Sequence, residues 1–160
     1  MLIITDRLMV DFLQSQYIAS YLRNFSSTVQ QTLNVHSLES EKQYLEHQLW
    51  AQEKGFTFFY CLLDRIDQEV IGAIEIRNPL QHPGQLYCWL HENYWSKGLL
   101  GEGMGPAAHD YFVRSENNSF NAHVHHENKR SYHALKKCGF ADEGMYDGPW
   151  GLQHVLRYGK

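Results

Sequence analysis

Between Phe56 and His91 the hydrophobic pattern turns strand-like and stays so through three runs in succession. Phe56 to Leu63, Val70 to Arg77 and Gln85 to His91 are rich in β-branched and aromatic residues, and only DRIDQE and NPLQHPG separate them. Short polar turns of this kind join antiparallel neighbours, because a parallel pair needs a crossover of about a dozen residues or more. The spacing predicts an antiparallel meander at the centre of the fold.

Helical periods flank the meander on both sides. Residues 2 to 12 read as one strand. Ser15 caps a helix on which Tyr17, Ile18, Tyr21, Leu22 and Phe25 recur, and the polar stretch 26 to 34 reads as loop. Ser40-Glu41-Lys42-Gln43 has the capping-box pattern and opens a second helix that stops at Gly55. After the meander, Leu100, Met104, Ala107, Ala108, Tyr111 and Phe112 form a helical stripe with Pro106 inside it, so a late start or a kink is expected there. Phe120 to His125 alternates as a strand. Lys129 to Cys138 follows as a helix, with Asn128 as N-cap and Gly139 as stop. Two closing strands cover Phe140 to Met145 and Leu152 to Tyr158. The order is β-α-α-β-β-β-α-β-α-β-β. It implies an α+β single domain over residues 1–160, with a mixed, mostly antiparallel central sheet flanked by about four helices.

Composition removes several function classes. The 14 Lys and Arg stand against 18 Asp and Glu, a net charge of −4, which is the wrong footing for a protein that grips nucleic-acid phosphates. No apolar run approaches the roughly 20 residues of a membrane span. Asp6, Arg7 and Asp11 interrupt what would be a signal core. Three cysteines, Cys61, Cys88 and Cys138, are an odd number without paired spacing, so a reduced, cytoplasmic setting is expected.

The segment richest in chemistry is Tyr94-Trp95-Ser96-Lys97-Gly98-Leu99-Leu100-Gly101-Glu102-Gly103, which leaves a strand and enters a helix. Glycines there allow positive φ and let successive N–H groups converge on an anion such as a pyrophosphate, although a plain flexible connection reads equally well. Downstream, Asn128-Lys129-Arg130-Ser131 leads to Lys137-Cys138-Gly139-Phe140. Together these two segments resemble the GNAT superfamily of acyl-CoA-dependent N-acetyltransferases, in particular the branch that acetylates ribosomal-protein N-termini. The family's Q/R-x-x-G-x-G/A signature, YWGKGYATEA in this branch, falls on Tyr94 to Gly103. Its NPASIRVLEKLGF pattern matches NKRSYHALKKCGF in length, with Asn128, Ser131, Leu135, Lys137, Gly139 and Phe140 in register. Thr5-Asp6-Arg7-Leu8 is similar to the branch's first strand.

The resemblance implies acetyl-CoA as co-substrate. Backbone groups of Trp89, Leu90 and His91 would pair with the pantetheine arm like an added strand. Amides across Trp95, Ser96, Lys97, Gly98, Leu99, Leu100 and Gly101 would hold the pyrophosphate, and Asn128 and Ser131 would line the thioester end. The acceptor is an amine, a protein N-terminus or a small molecule, and the protein is a monomer or homodimer. Glu75, mid-strand among Ile71, Ala73 and Ile74, is the base candidate, with a solvent-facing partner of Arg77 as its plain alternative. His91 is a second base. The family's tyrosine acid falls on Leu135, which leaves Ser131 as the nearest proton donor. Tyr17, Tyr21, Phe25, Tyr87 and Trp150 are candidate walls of an acceptor groove, or core.

His123, His125, His126 and His133 lie close enough in sequence to suggest a metal site, but no carboxylate apart from Glu127 accompanies them, so no metal is expected. Two competing readings are a non-catalytic acyl-CoA-binding regulatory domain and a metal-binding domain built on these histidines.

Overall fold

The computed structural model describes residues 1–77 and 83–160. Residues 78–82, most of the NPLQHPG turn, lie outside the described residues. Eight strands form one sheet in the order β1-β2-β3-β4-β5-β6-β8-β7. They are β1 (Leu2–Ile4), β2 (Leu8–Phe12), β3 (Thr57–Asp64), β4 (Val70–Arg77), β5 (Gly84–Leu90), β6 (Ser119–His125), β7 (Ala141–Gly148) and β8 (Gly151–Gly159). Five α-helices accompany them among the described residues: α1 (Ile18–Asn24), α2 (Ser27–Leu33), α3 (Leu38–Glu53), α4 (Leu99–Ser115) and α5 (Lys129–Lys137). The architecture is the expected α+β one, with the β3-β4-β5 meander at its centre.

Each sheet face carries its own core. Strand residues alternate between faces, so Phe58, Tyr60 and Leu62 of β3 pack with Met104, Ala107 and Tyr111 of α4. Phe59, Cys61 and Leu63 pack on the other face with Tyr21 of α1, Val29 of α2 and Leu45 of α3. Phe120 joins the first core, where its ring meets those of Tyr111, Phe112, Phe140 and Tyr158.

All strand pairs are antiparallel except β5 with β6, which run parallel and pair only at Gly84 with Phe120 and Gln85 with Asn121. Beyond Gln85 the two strands separate, leaving one edge of β5 open from Leu86 to Leu90. That gap positions the site.

Five sequence expectations need correction. Ser15 is not a cap: it opens a 3-10 turn, Ser15–Tyr17, and α1 follows at Ile18 with no side-chain cap. Residues 2–12 form a hairpin of two strands, because Thr5-Asp6-Arg7 makes a tight turn closed by the Thr5 N–H on the Leu8 carbonyl at 2.9 Å. The stretch 26–34 contains helix α2, capped by Ser26 Oγ, which accepts the Val29 N–H at 3.2 Å. Only Val29 of α2 is buried, so no apolar stripe marks it. Helix α3 starts earlier than its capping-box pattern indicates: Ser37 is the cap, accepting the Ser40 N–H at 3.1 Å. Helix α4 begins immediately at Leu99 and runs through Pro106. Proline there removes one i to i−4 bond, while Met104, Ala107, Ala108, Tyr111 and Phe112 stay buried on the same helix and hold it against the sheet.

Candidate active site

Two cavities meet on the open side of β5. The first, about 410 Å³, lies between the end of β5, the start of α4 and helix α5. Trp89, Leu90, Trp95, Ser96, Gly98, Leu99, Leu100, Gly101 and Ser131 all line it. The second, about 360 Å³, lies under α1 and α3, and Cys88 and Trp89 line both.

The first cavity suits a polyanion. Ser96 and Gly98 adopt positive φ, at 61° and 75°, and so turn the chain into α4. The first helical bond is donated by the Glu102 N–H to the Gly98 carbonyl at 3.1 Å, so the N–H groups of Leu99, Leu100 and Gly101 precede it at the positive end of the helix. Arg130 and Lys137 add two cations to the lining, and no Asp or Glu belongs to it. The Arg130 guanidinium carbon lies 3.5 Å from the Trp95 ring centroid. Arg130 lies within the NKRS motif, yet nothing in the sequence assigns it a role; its stacking partner is 35 residues away.

A brace behind the loop is also invisible in sequence. The Arg7 guanidinium donates to Glu102 Oε2 at 2.8 Å and to the Lys97 carbonyl at 2.8 Å, while the Arg7 N–H reaches Glu102 Oε1 at 2.7 Å. Thr5 Oγ1 donates to the same carboxylate. Burial pushes the Glu102 carboxyl up, but these donors outweigh it and hold it below the usual range. The β1–β2 turn therefore clamps the glycine-rich loop from behind.

The remaining cofactor candidates lie elsewhere. Lys97 contributes its carbonyl to Arg7 and does not line the cavity. Asn128 caps α5, its Oδ1 accepting the Ser131 N–H at 3.2 Å. His91 lines neither cavity; its Nδ1 accepts the Asn93 N–H at 3.1 Å and caps the short turn after β5. Because the His91 N–H is bonded to the Ile71 carbonyl at 2.8 Å, alternation along the antiparallel ladder turns the backbone of Trp89 toward β4 as well. The groups facing the gap are those of Cys88 and Leu90. The Leu90 carbonyl accepts the Trp95 indole N–H at 2.7 Å, which leaves its N–H for a ligand.

The second cavity is lined by two carboxylates, the Arg77 side chain and aromatic rings. Glu41 and Glu75 are 7% and 4% exposed. Glu75 accepts hydrogen bonds from Tyr44, from Thr57 at 3.2 Å and from Arg77 at 3.1 Å. Glu41 Oε1 accepts the Tyr21 hydroxyl at 2.9 Å, and that hydroxyl accepts the Trp89 indole N–H at 2.9 Å. Of the aromatic residues weighed as groove walls, Tyr21 and Tyr87 line this cavity. Phe25 is buried in the core, Tyr17 donates to Asp11 at 2.7 Å, and Trp150 stands 76% exposed near the β7–β8 turn.

Neither cavity offers a thiolate nucleophile: burial pushes Cys88 up to about 12 and Cys138 up to about 11. Among the described residues no group of three or more His, Cys, Asp or Glu could hold a metal ion.

An open strand edge beside a helix-start anion cradle defines the acyl-CoA transferase class of fold. The family model for the acetyltransferase (GNAT) domain matches residues 6–141, and the chain belongs to that family. It is 29% identical over 120 residues to the [ribosomal protein uS5]-alanine N-acetyltransferase of Escherichia coli (strain K12), a match covering 65% of this chain. The chain spans 58% of the length of that curated relative. The crystal structure of ribosomal-protein-S5-alanine acetyltransferase from Vibrio fischeri superposes with a TM-score of 0.82 at 17% identity, covering 99% of this chain and 96% of the other. A ribosomal L7/L12 alpha-N-protein acetyltransferase in complex with coenzyme A gives 0.85 at 14% identity, covering 99% and 98%. At those identities the structural likeness carries the fold.

Proposed function

We propose that the protein transfers an acetyl group from acetyl-CoA to a primary amine by direct attack in a ternary complex. One observation carries this reading: a cavity with cations and free amides but no carboxylate meets a carboxylate-lined cavity across Cys88 and Trp89 of an open strand edge. The first end fits a pyrophosphate and the second fits an ammonium. The pantetheine arm, which carries amides, can add to the β5 edge as a strand would. The N–H groups of Cys88 and Leu90 are then the donors available to the oxyanion that forms at the thioester carbonyl. Ser131 lines the first cavity, and in this reading it supplies the proton taken by the departing thiolate.

The acceptor we favour is a protein N-terminus, on the strength of the uS5-alanine and L7/L12 relatives. The test is release of CoA thiol with alanine- and serine-initiated peptides, polyamines and amino sugars. Turnover of a peptide N-terminus is the expected result. Binding of acetyl-CoA without turnover of any amine would leave a regulatory binding domain, and no binding at millimolar acetyl-CoA would remove both readings.

Arg7→Ala tests the brace. It removes the charge-assisted bonds to Glu102 and Lys97, and because Arg7 is half exposed, water replaces part of what is lost. Acetyl-CoA affinity should fall about five- to tenfold, roughly 1 kcal/mol, with the far-ultraviolet circular dichroism unchanged. Calorimetry giving the wild-type Kd would show that the loop holds its shape unaided.

A further inference from the structure

We propose that Glu41, rather than Glu75, accepts the proton of the acceptor ammonium, and that Tyr21 and Trp89 hold it in position to do so. This rests on the acetyltransferase reading and adds to it the residue that prepares the amine.

The two carboxylates of the second cavity differ in how many partners they already have. Glu75 has both oxygens bonded: Tyr44 donates to Oε2, Thr57 and the Arg77 guanidinium donate to Oε1, and Arg77 pairs with its charge. Neither of its oxygens is left without a protein donor. Glu41 receives one bond, from Tyr21, and its Oε2 has no protein donor among the described residues. It is the carboxylate oxygen left for an ammonium.

The charged and titratable groups facing Glu41 come from four elements of the fold and the approach to α3. Tyr21 of α1 donates to it, Glu75 and Arg77 project from β4, Tyr87 from β5, Tyr44 stands one turn along α3, and His36 lies on the approach to α3. Burial raises the Glu41 carboxyl above its usual range, the Tyr21 bond opposes that, and the charge of Glu75 adds to it. A carboxyl displaced upward is better matched to taking a proton near neutral pH.

Position agrees with this role. The chain of bonds from Glu41 through the Tyr21 hydroxyl to the Trp89 indole ends on the residue that lines both cavities. Glu41 is thereby tied to the strand edge where the thioester would lie. In the step itself the ammonium gives one proton to Glu41, and the freed lone pair forms the C–N bond. The C–S bond breaks as the tetrahedral species collapses. The second nitrogen proton replaces, through water, the one that Ser131 gives to the thiolate, so that CoA-SH leaves, while Glu41 returns its proton to water.

The test uses CoA release from an alanine-initiated peptide across pH, together with titration of ¹³C-labelled glutamate carboxyls in the free protein. Glu41→Gln should lower kcat by about 10²- to 10⁴-fold, leave the Kd for acetyl-CoA unchanged and abolish the acid limb of kcat/KM. Tyr21→Phe removes a bond that favours the charged form, so the limb should move to higher pH. Glu75→Gln removes a neighbouring negative charge, so the limb should move to lower pH while persisting. In the carboxyl titration, the resonance missing from Glu41→Gln should titrate above the ordinary range and shift on addition of n-butylamine.

An acid limb that survives Glu41→Gln, or one that vanishes only in Glu75→Gln, overturns the proposal. So does a Glu41 resonance that ignores n-butylamine. Failure of wild-type protein to acetylate any amine counts against the functional reading, and the carboxyl titration still decides the role of Glu41.

Discussion

Glu75→Ala is expected to destabilise the fold by about 3 kcal/mol, the low end for breaking a buried ion pair. The Glu75 carboxylate is 4% exposed and satisfies three donors at once. Alanine leaves the Thr57 hydroxyl buried without its acceptor and frees Tyr44 and Arg77 from their common anchor. The loss stays at the low end because the Arg77 side chain is 43% exposed and can reach water. Its guanidinium also keeps the Tyr87 ring, 3.8 Å below it. For a domain of this size the melting temperature should drop by roughly 6–12 °C. Glu75→Gln should recover part of this, since an amide oxygen still accepts from Thr57. A loss under about 1 kcal/mol in urea unfolding would mean that the network contributes little and that Arg77 holds its place through the rings alone.

Gly72→Ala is the second large effect, and it acts on the strand edge itself. A Cβ at Gly72 would stand 2.6 Å from the Trp89 carbonyl oxygen and 3.0 Å from Leu90 Cδ1. The first of these is backbone, so the clash cannot be relieved by a rotamer change and β5 has to move. Overpacking of this kind costs about 1–3 kcal/mol. The displaced segment, Cys88 to Leu90, presents the N–H groups assigned to the thioester, so acetyl-CoA affinity should fall about tenfold alongside stability. Gly105→Ala is the control: apart from its chain neighbours and its own helix nothing lies within 4 Å of its Cβ, and because Pro106 follows it, which disfavours a bulkier helical residue in front of it, no gain in stability is expected while acetyl-CoA affinity should stay at the wild-type value. Equal behaviour of the two variants in thermal unfolding and acetyl-CoA titration would refute the packing account.

The cofactor end of the site is largely legible in the amino-acid sequence, and the reason is local. Phosphate binding at a helix start depends on backbone amides and on residues free to take positive φ, and both are properties of a contiguous stretch such as Trp95 to Gly101. Asn128 and Gly139 are the cap and stop of α5, as their local pattern predicts, for the same reason. The brace is not legible, because Arg7 and Glu102 are 95 positions apart.

The acceptor end is harder to read. In sequence Glu41 is the second residue of a capping box, since Ser40 and Gln43 fit that pattern. The actual cap is Ser37. Glu41 lies inside the first turns of α3, on its buried side, and meets the Tyr21 hydroxyl. Helix α2 escapes a periodicity argument because one buried residue makes no stripe, yet its Val29 and Thr32 line the first cavity and its Leu33 lines the second.

The sequence by itself determined the central meander, the helix that follows the glycine-rich turn and the capped helix after β6, because period, caps and turn residues act over a few positions. Only the tertiary structure decided that β5 and β6 part after Gln85, and that a cavity lined by Arg130 and Lys137 meets one lined by Glu41, Glu75 and Arg77 across Cys88 and Trp89. It also decided which of two buried carboxylates keeps an oxygen unbonded. Those outcomes depend on long-range pairing and on how many donors converge on one group, quantities set by packing between segments rather than by the residues of any one of them.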